Sequence, residues 1–224
     1  MPADNLPNTL YHGTRASALP SILADGLRPR AARRGNWKHS VESNPQAVYL
    51  TNAYPLYFAA SAARQKDAAL LILELSGGAL DLELMAPDED FLEQATRGSP
   101  NFAAAGGDMK ARTRWFRRRA LRDFSHYWRD SLRHLGTCTC YGRVPAQAVT
   151  RYAVVPIRHP LVRASDPTIT LMNYKIMGGY YRQLVRHIFG DPLDLEDLGV
   201  VRDRAAWLRG LDRAGIIVKT LGTP

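Results

Sequence analysis

Two short segments constrain this chain most: Leu10-Tyr11-His12-Gly13-Thr14 and Ala47-Val48-Tyr49-Leu50-Thr51. Each is β-prone and carries a polar or aromatic residue where a strand meets a loop. Between them the stretch from Ala18 to Leu27 predicts a short helix over about residues 16–24. Leu19, Ile22 and Leu23 fall there at helical spacing, and Asp25-Gly26 supplies a stop. Residues 28–46 contain Pro29, Gly35 and Pro45 among many polar groups, which predicts a mobile loop. The order is therefore strand, helix, basic loop, strand.

The polar residues of these segments suit a nucleotide. His12 can donate from one ring nitrogen while accepting at the other, as a ribose hydroxyl requires. Gly13 has no side chain, so a ligand amide can approach its backbone closely. Tyr49 offers a flat face for stacking, worth about 0.5–1.5 kcal/mol beyond burial.

The ordered set is Leu-Tyr-His-Gly-Thr, then Ile-Leu-x-x-Gly-Leu, then Val-Tyr-Leu-Thr followed by an Ala-rich helix. It resembles the NAD-binding half of the ADP-ribosyltransferase fold. The resemblance implies an α+β, ADP-ribosyltransferase-like split β-sandwich: two small twisted sheets packed face to face, with surrounding helices. It implies NAD as substrate and no metal. In such enzymes the His and the Tyr are functional positions, which here are His12 and Tyr49. His12 and Thr14 would hold the adenosine ribose, Gly13 the carboxamide and Tyr49 the nicotinamide ring, with Thr51 also at the nucleotide and Tyr57 on the second ring face. The likeness covers residues 9–65 well and 70–155 loosely. Residues 1–155 are accordingly assigned to the NAD-binding domain, and 156–224 to an α-rich elaboration packed on it.

One expected residue is missing. Such transferases usually place a Glu on a later strand, where it stabilises the oxocarbenium-like transition state. The strand that best fits this place is Thr137–Tyr141, ahead of Gly-x-Val-Pro, and it has no carboxylate. Thr137 or Thr139 stands there instead, Thr137 being the third assigned catalytic position, and neither hydroxyl is a general base unaided. Three explanations are open. A carboxylate comes from elsewhere, with Asp88, Glu89 and Asp90 the nearest candidates; a single ADP-ribose is transferred without it; or the chain binds a nucleotide and catalyses nothing. Mono-ADP-ribosyl transfer from NAD is the leading expectation. An RNA 2′-phosphotransferase-like enzyme and a non-catalytic NAD, ADP-ribose or nucleic-acid binding module are the alternatives. A toxin role is an analogy of fold.

Charge points to a polyanionic partner. Of the chain's net +9, the stretch from Lys110 to Arg133 supplies +7, with nine bases against two acids. Arg117, Arg118, Arg119 and Arg122 are the candidate contacts to RNA or DNA as acceptor. A second cluster, Arg28, Arg30, Arg33, Arg34 and Lys38, lies in the loop after the first helix. A solvated helix face is the plain alternative for both. No apolar run approaches the length that spans a bilayer, and the N-terminus lacks a basic n-region and an apolar h-region, so a cytoplasmic protein with no membrane partner is expected. Cys138 and Cys140 are the only cysteines, too close in sequence for an ordinary structural disulfide, and metal-ligand spacing is missing.

Elsewhere, Leu70–Leu75 predicts a buried strand, Ser99–Asp108 a flexible link, and Met109–Leu135 one long basic helix with Leu121, Phe124, Trp128 and Leu132 as its apolar stripe. Strands are expected at 137–141, 149–155 and around Ile216–Val218, and helices over 174–189 and 202–212. The mixture of Lys175, Tyr180, Tyr181, Arg182, Arg186 and His187 suits either nucleic-acid stacking or a helix whose tyrosines pack on the core.

Overall fold

A run of apolar residues that no single face could bury organises the first part of the structure. The computed structural model describes residues 9–30, 43–165, 174–194, 197, 210 and 212–222. In chain order its elements are β1 (Thr9–Arg15), α1 (Leu19–Asp25), β2 (Val48–Thr51), α2 (Pro55–Ala62), β3 (Ala69–Ser76), β4 (Met85–Pro87), α3 (Glu89–Ala95), α4 (Pro100–Ala104), α5 (Met109–Arg117), α6 (Ala120–Phe124), α7 (Trp128–Leu135), β5 (Thr137–Cys140), β6 (Val149–Pro156), α8 (Pro160–Ala164), α9 (Tyr174–Phe189) and β7 (Ile217–Thr220). The paired strands are antiparallel and helices are interspersed with them along the chain, so the class is α+β. The chain divides into two compact units, one from Met1–Gly26, Thr51–Leu80 and Pro145–Pro224, the other from Leu27–Leu50 and Asp81–Val144.

In the first unit the strand order is β1-β3-β6-β7. Strand β3 is central, paired with β1 from Thr9↔Ser76 to Arg15↔Leu70 and with β6 from Ala69↔Pro156 to Leu75↔Val149. Leu70, Leu71, Ile72, Leu73 and Leu75 are fully buried, as expected of a strand covered on both faces. Helix α9 occupies the predicted span and buries Tyr174, Met177, Tyr180, Tyr181, Leu184, Val185 and Ile188 along one stripe. Tyr54 meets Tyr174 and Tyr181 edge-on at 5.7 and 5.4 Å. The α9 tyrosines are therefore core residues, and Arg182 is engaged by Asp197 and by the Tyr174 hydroxyl. The expected helix over 202–212 lies almost wholly outside the described residues.

Glu74 is the one carboxylate on β3, and it is buried. It is neutralised across the sheet by Arg151, which also reaches Asp191 at 2.7 and 2.8 Å and lies over the Phe189 ring at 4.7 Å. Thr150 donates to the same carboxylate at 2.7 Å. Arg151→Met removes the cation and leaves Glu74 as an uncompensated buried charge, so a loss of about 3 kcal/mol is expected in urea unfolding at pH 7. Most of it should return in the Arg151→Met/Glu74→Gln double variant.

In the second unit the strand order is β4-β5-β2, with Met85↔Cys140 and Pro87↔Cys138 bounding the β4–β5 pairing. All four residues of β5 are buried, and Cys138 and Cys140 are free thiols inside it. The predicted basic helix is in fact three pieces, α5, α6 and α7, separated at Arg118-Arg119 and at Ser125–Tyr127. A straight helix would spread its apolar groups along one line. The bends instead bring Phe116, Ala120, Phe124 and Leu135 into one cluster with Phe91 and Leu92 of α3. The expected flexible link also holds a short helix, α4, capped by Ser99, and Asp108 caps α5 by accepting from Ala111 N–H at 2.7 Å.

Candidate active site and basic groove

In the first unit β1 presents its two faces differently. Side chains alternate along a strand, so His12 and Thr14 share one face and Gly13 turns to the other. A Cβ built on Gly13 would stand 1.7 Å from the Pro55 carbonyl oxygen and 2.7 Å from the Ala59 nitrogen. The glycine is therefore required by the close seating of α2 on β1. His12 and Thr14 are half-buried on the opposite face, in register with Leu73 and Leu71 of β3. Thr51 is fully buried, and its hydroxyl accepts from Ala53 N–H at 3.0 Å and Tyr54 N–H at 2.9 Å, closing the turn into α2. Tyr57 is buried on α2, tilted against Phe58 at 5.3 Å between ring centroids.

In the second unit Tyr49 leads to a cluster of polar and charged side chains around Glu89. Its hydroxyl donates to Glu89 Oε1 at 2.6 Å and accepts from Asn44 N–H at 2.6 Å. Asn44 in turn donates through Nδ2 to the Tyr141 hydroxyl at 3.0 Å, and Tyr141 donates to the Arg117 carbonyl at 3.0 Å. Arg117 places a guanidinium nitrogen 3.4 Å from Glu89 Oε1. Beside it, Asp88 caps α3 by accepting from Asp90 N–H at 3.0 Å. The Ser131 hydroxyl ties the cluster down, accepting from Asp88 N–H at 3.0 Å and donating to the Thr137 carbonyl at 2.7 Å.

Burial dominates the electrostatics of this cluster. Glu89 is only 3% exposed. Burial, reinforced by the Asp88 charge, pushes its carboxyl up to about 7, against the lowering pull of the Tyr49 hydroxyl and Arg117. Asp88 is raised too, chiefly by burial. Burial and then the Glu89 charge raise the Tyr49 phenol well above its ordinary value, so Tyr49 stays a proton donor. A carboxyl near 7, held by an aromatic hydroxyl and an arginine, can give or take a proton at neutral pH or stabilise a nearby cation.

Thr137 is fully buried, and its hydroxyl makes no hydrogen bond of ordinary geometry among the described residues. It stands near enough to Asp88 to favour that group's ionised form. The residue adjoining the assigned Thr is thus Asp88, a carboxylate from outside β5.

The four candidate arginines part company. Arg117 turns inward to Glu89, whereas Arg118, Arg119 and Arg122 line a surface groove of about 550 Å³ together with Trp115. Arg119 lies over the Trp115 ring at 4.2 Å. Asn44, Tyr141 and Trp115 were not singled out in the sequence. Only Trp115 carried a local signal, an aromatic in the pair Trp115-Phe116 that precedes the run Arg117–Arg119.

No family model matches the chain, and no curated protein does. Among solved structures the chain is similar to EcPltA, with a TM-score of 0.38 and 11% identity over 67% of this chain and 77% of that one. Neither fold family nor chemistry is inferred from a likeness of that size.

Proposed function

We propose that this chain is a mono-ADP-ribosyltransferase of ADP-ribosyltransferase-like fold that uses NAD. The observation that carries the reading is the group in which half-buried Tyr49 and Arg117 meet the buried Glu89, because it joins the tyrosine assigned by resemblance to a carboxylate that the later strand lacks. In this reading the bond between C1′ of the ribose and the nicotinamide nitrogen breaks, nicotinamide leaves as a neutral amide, and an acceptor O–H or N–H attacks C1′. Tyr49, its hydroxyl held by Glu89 and Asn44, keeps its ring in a fixed plane for stacking. Glu89 stabilises the cationic sugar and can accept the acceptor's proton. His12 and Thr14 hold the adenosine ribose, as the resemblance implies. The rate comes mainly from positioning and electrostatics.

The test is nicotinamide release from NAD by the full chain, compared with His12→Ala and Tyr49→Ala. Each variant is expected to lose roughly 10²-fold in kcat/KM, the scale of one positioning or electrostatic contact. Circular dichroism and melting must show the variants folded. No release by the wild type, with NAD still raising its melting temperature, would instead select a non-catalytic nucleotide-binding module.

A further inference from the structure

We propose that the groove lined by Trp115, Arg118, Arg119 and Arg122 binds single-stranded nucleic acid. Phosphates engage Arg118 and Arg122, and an unpaired base lies against the stacked Trp115–Arg119 pair. The proposal stands independently of the NAD chemistry. The groove's volume of about 550 Å³ falls within the range of sites that enclose small ligands, roughly 300–1,000 Å³.

Its construction favours that occupant. Trp115 is half-buried and braced from the core side, edge-on to Phe116 at 5.1 Å and tilted against Phe124 at 6.2 Å. The platform is therefore held rigid before anything binds. The guanidinium of Arg119, 4.2 Å over the indole, presents a planar cation on which a base can stack or with which it can exchange. Arg118 is exposed, spends only its Nε on the Arg114 carbonyl, and makes no ion pair with a described carboxylate. Arg122 is paired with Asp123 at 2.6 and 2.8 Å, yet its side chain is 71% exposed. An exposed pair of that kind contributes little, so a phosphate can replace the carboxylate at small cost.

Three cations around an aromatic floor, with Asp123 the one acid paired to them among the described residues, make a phosphate-and-base site. An acidic peptide could use the charges but would leave the stacking platform idle. A duplex hides its base faces, so it could use only the phosphate contacts.

The experiment is fluorescence anisotropy with 5′-labelled ten-nucleotide RNA, ten-nucleotide DNA and the matching duplex, on the full chain over a salt series. Arg118→Ala/Arg122→Ala and Trp115→Leu are compared with Arg97→Ala, which removes an exposed cation outside the groove. Wild type is expected to bind a single strand more tightly than the duplex. The double arginine variant should bind about 10–100-fold more weakly, with a salt slope smaller by about 1.4, two phosphate contacts at roughly 0.7 each on a single strand. Trp115→Leu should lose about 10-fold or more with little change of slope. Arg97→Ala should match wild type. The RNA and DNA arms distinguish which sugar is preferred.

Because Arg118 and Arg122 are exposed, their replacement leaves the core intact, and nicotinamide release without nucleic acid should be unchanged in that variant. Failure of NAD turnover therefore leaves this inference standing, and the converse holds. The proposal is overturned if wild type binds no strand, if the double variant binds as wild type does, if the duplex binds as tightly as the single strand, or if poly-glutamate of equal charge competes as well as the oligonucleotide.

Discussion

Glu89→Gln is expected to cut nicotinamide release roughly 10²–10³-fold while making the protein more stable at pH 8. The two effects have one origin. In the proposed reaction a buried carboxylate stabilises the developing cation, and removing one such group costs on the order of 3–4 kcal/mol in the barrier. The same burial makes the charge expensive to keep. The Glu89 carboxyl is raised from its ordinary 4.5 to about 7 in the folded chain, so the folded state holds this proton more tightly than the unfolded one. Its contribution to stability is therefore fully present below about pH 4.5 and is lost as the pH rises through 7. That loss amounts to about 3 kcal/mol, and a permanently neutral glutamine should recover up to that amount at pH 8. Urea unfolding of both proteins at pH 5 and pH 8 measures it. Equal stability of the two at pH 8, or full activity in the variant, would remove Glu89 from the role assigned to it.

Gly13→Ala is expected to destabilise the first unit by at least about 3 kcal/mol, lowering the melting temperature by roughly 6–12 °C. The added methyl group meets backbone, the Pro55 carbonyl and the Ala59 nitrogen, and no rotamer relieves that contact. Helix α2 would have to lift from β1. Thermal melting of the variant settles this, and a change below 2 °C would mean that the helix can shift without penalty. A ligand-contact role for the Gly13 backbone predicts a different signature, weaker NAD binding at unchanged stability.

Much of the architecture was legible because it rests on local pattern. The apolar run at Leu70–Leu75 reads as a buried strand and is one, and the helix expected over 174–189 is α9, whose buried residues Tyr174, Met177, Tyr181 and Ile188 fall at helical spacing. The division of the basic helix was not legible. Lys110–Arg133 is helix-forming throughout, and its bends are imposed by what Phe116 and Phe124 must reach, which is tertiary information. Among the candidate residues, Tyr49 and the acids at 88–90 could be nominated separately, but their meeting is a product of folding across forty residues. The arginine run shows the limit most clearly. Arg117 and Arg118 are adjacent and chemically identical, yet one neutralises a buried carboxylate and the other faces solvent. Only the helical phase at the end of α5 separates them.

The two thiols inside β5 offer a clock. Cys138 and Cys140 are 0% and 1% exposed, and burial raises both above the ordinary thiol range, so the folded chain presents a labelling reagent with neither access nor thiolate. Reaction must wait for β5 to open. The time course of alkylation in native buffer therefore reports the opening of β5, as a rate where the reagent outpaces reclosing and as a free energy where it does not, without denaturant and without any engineered probe.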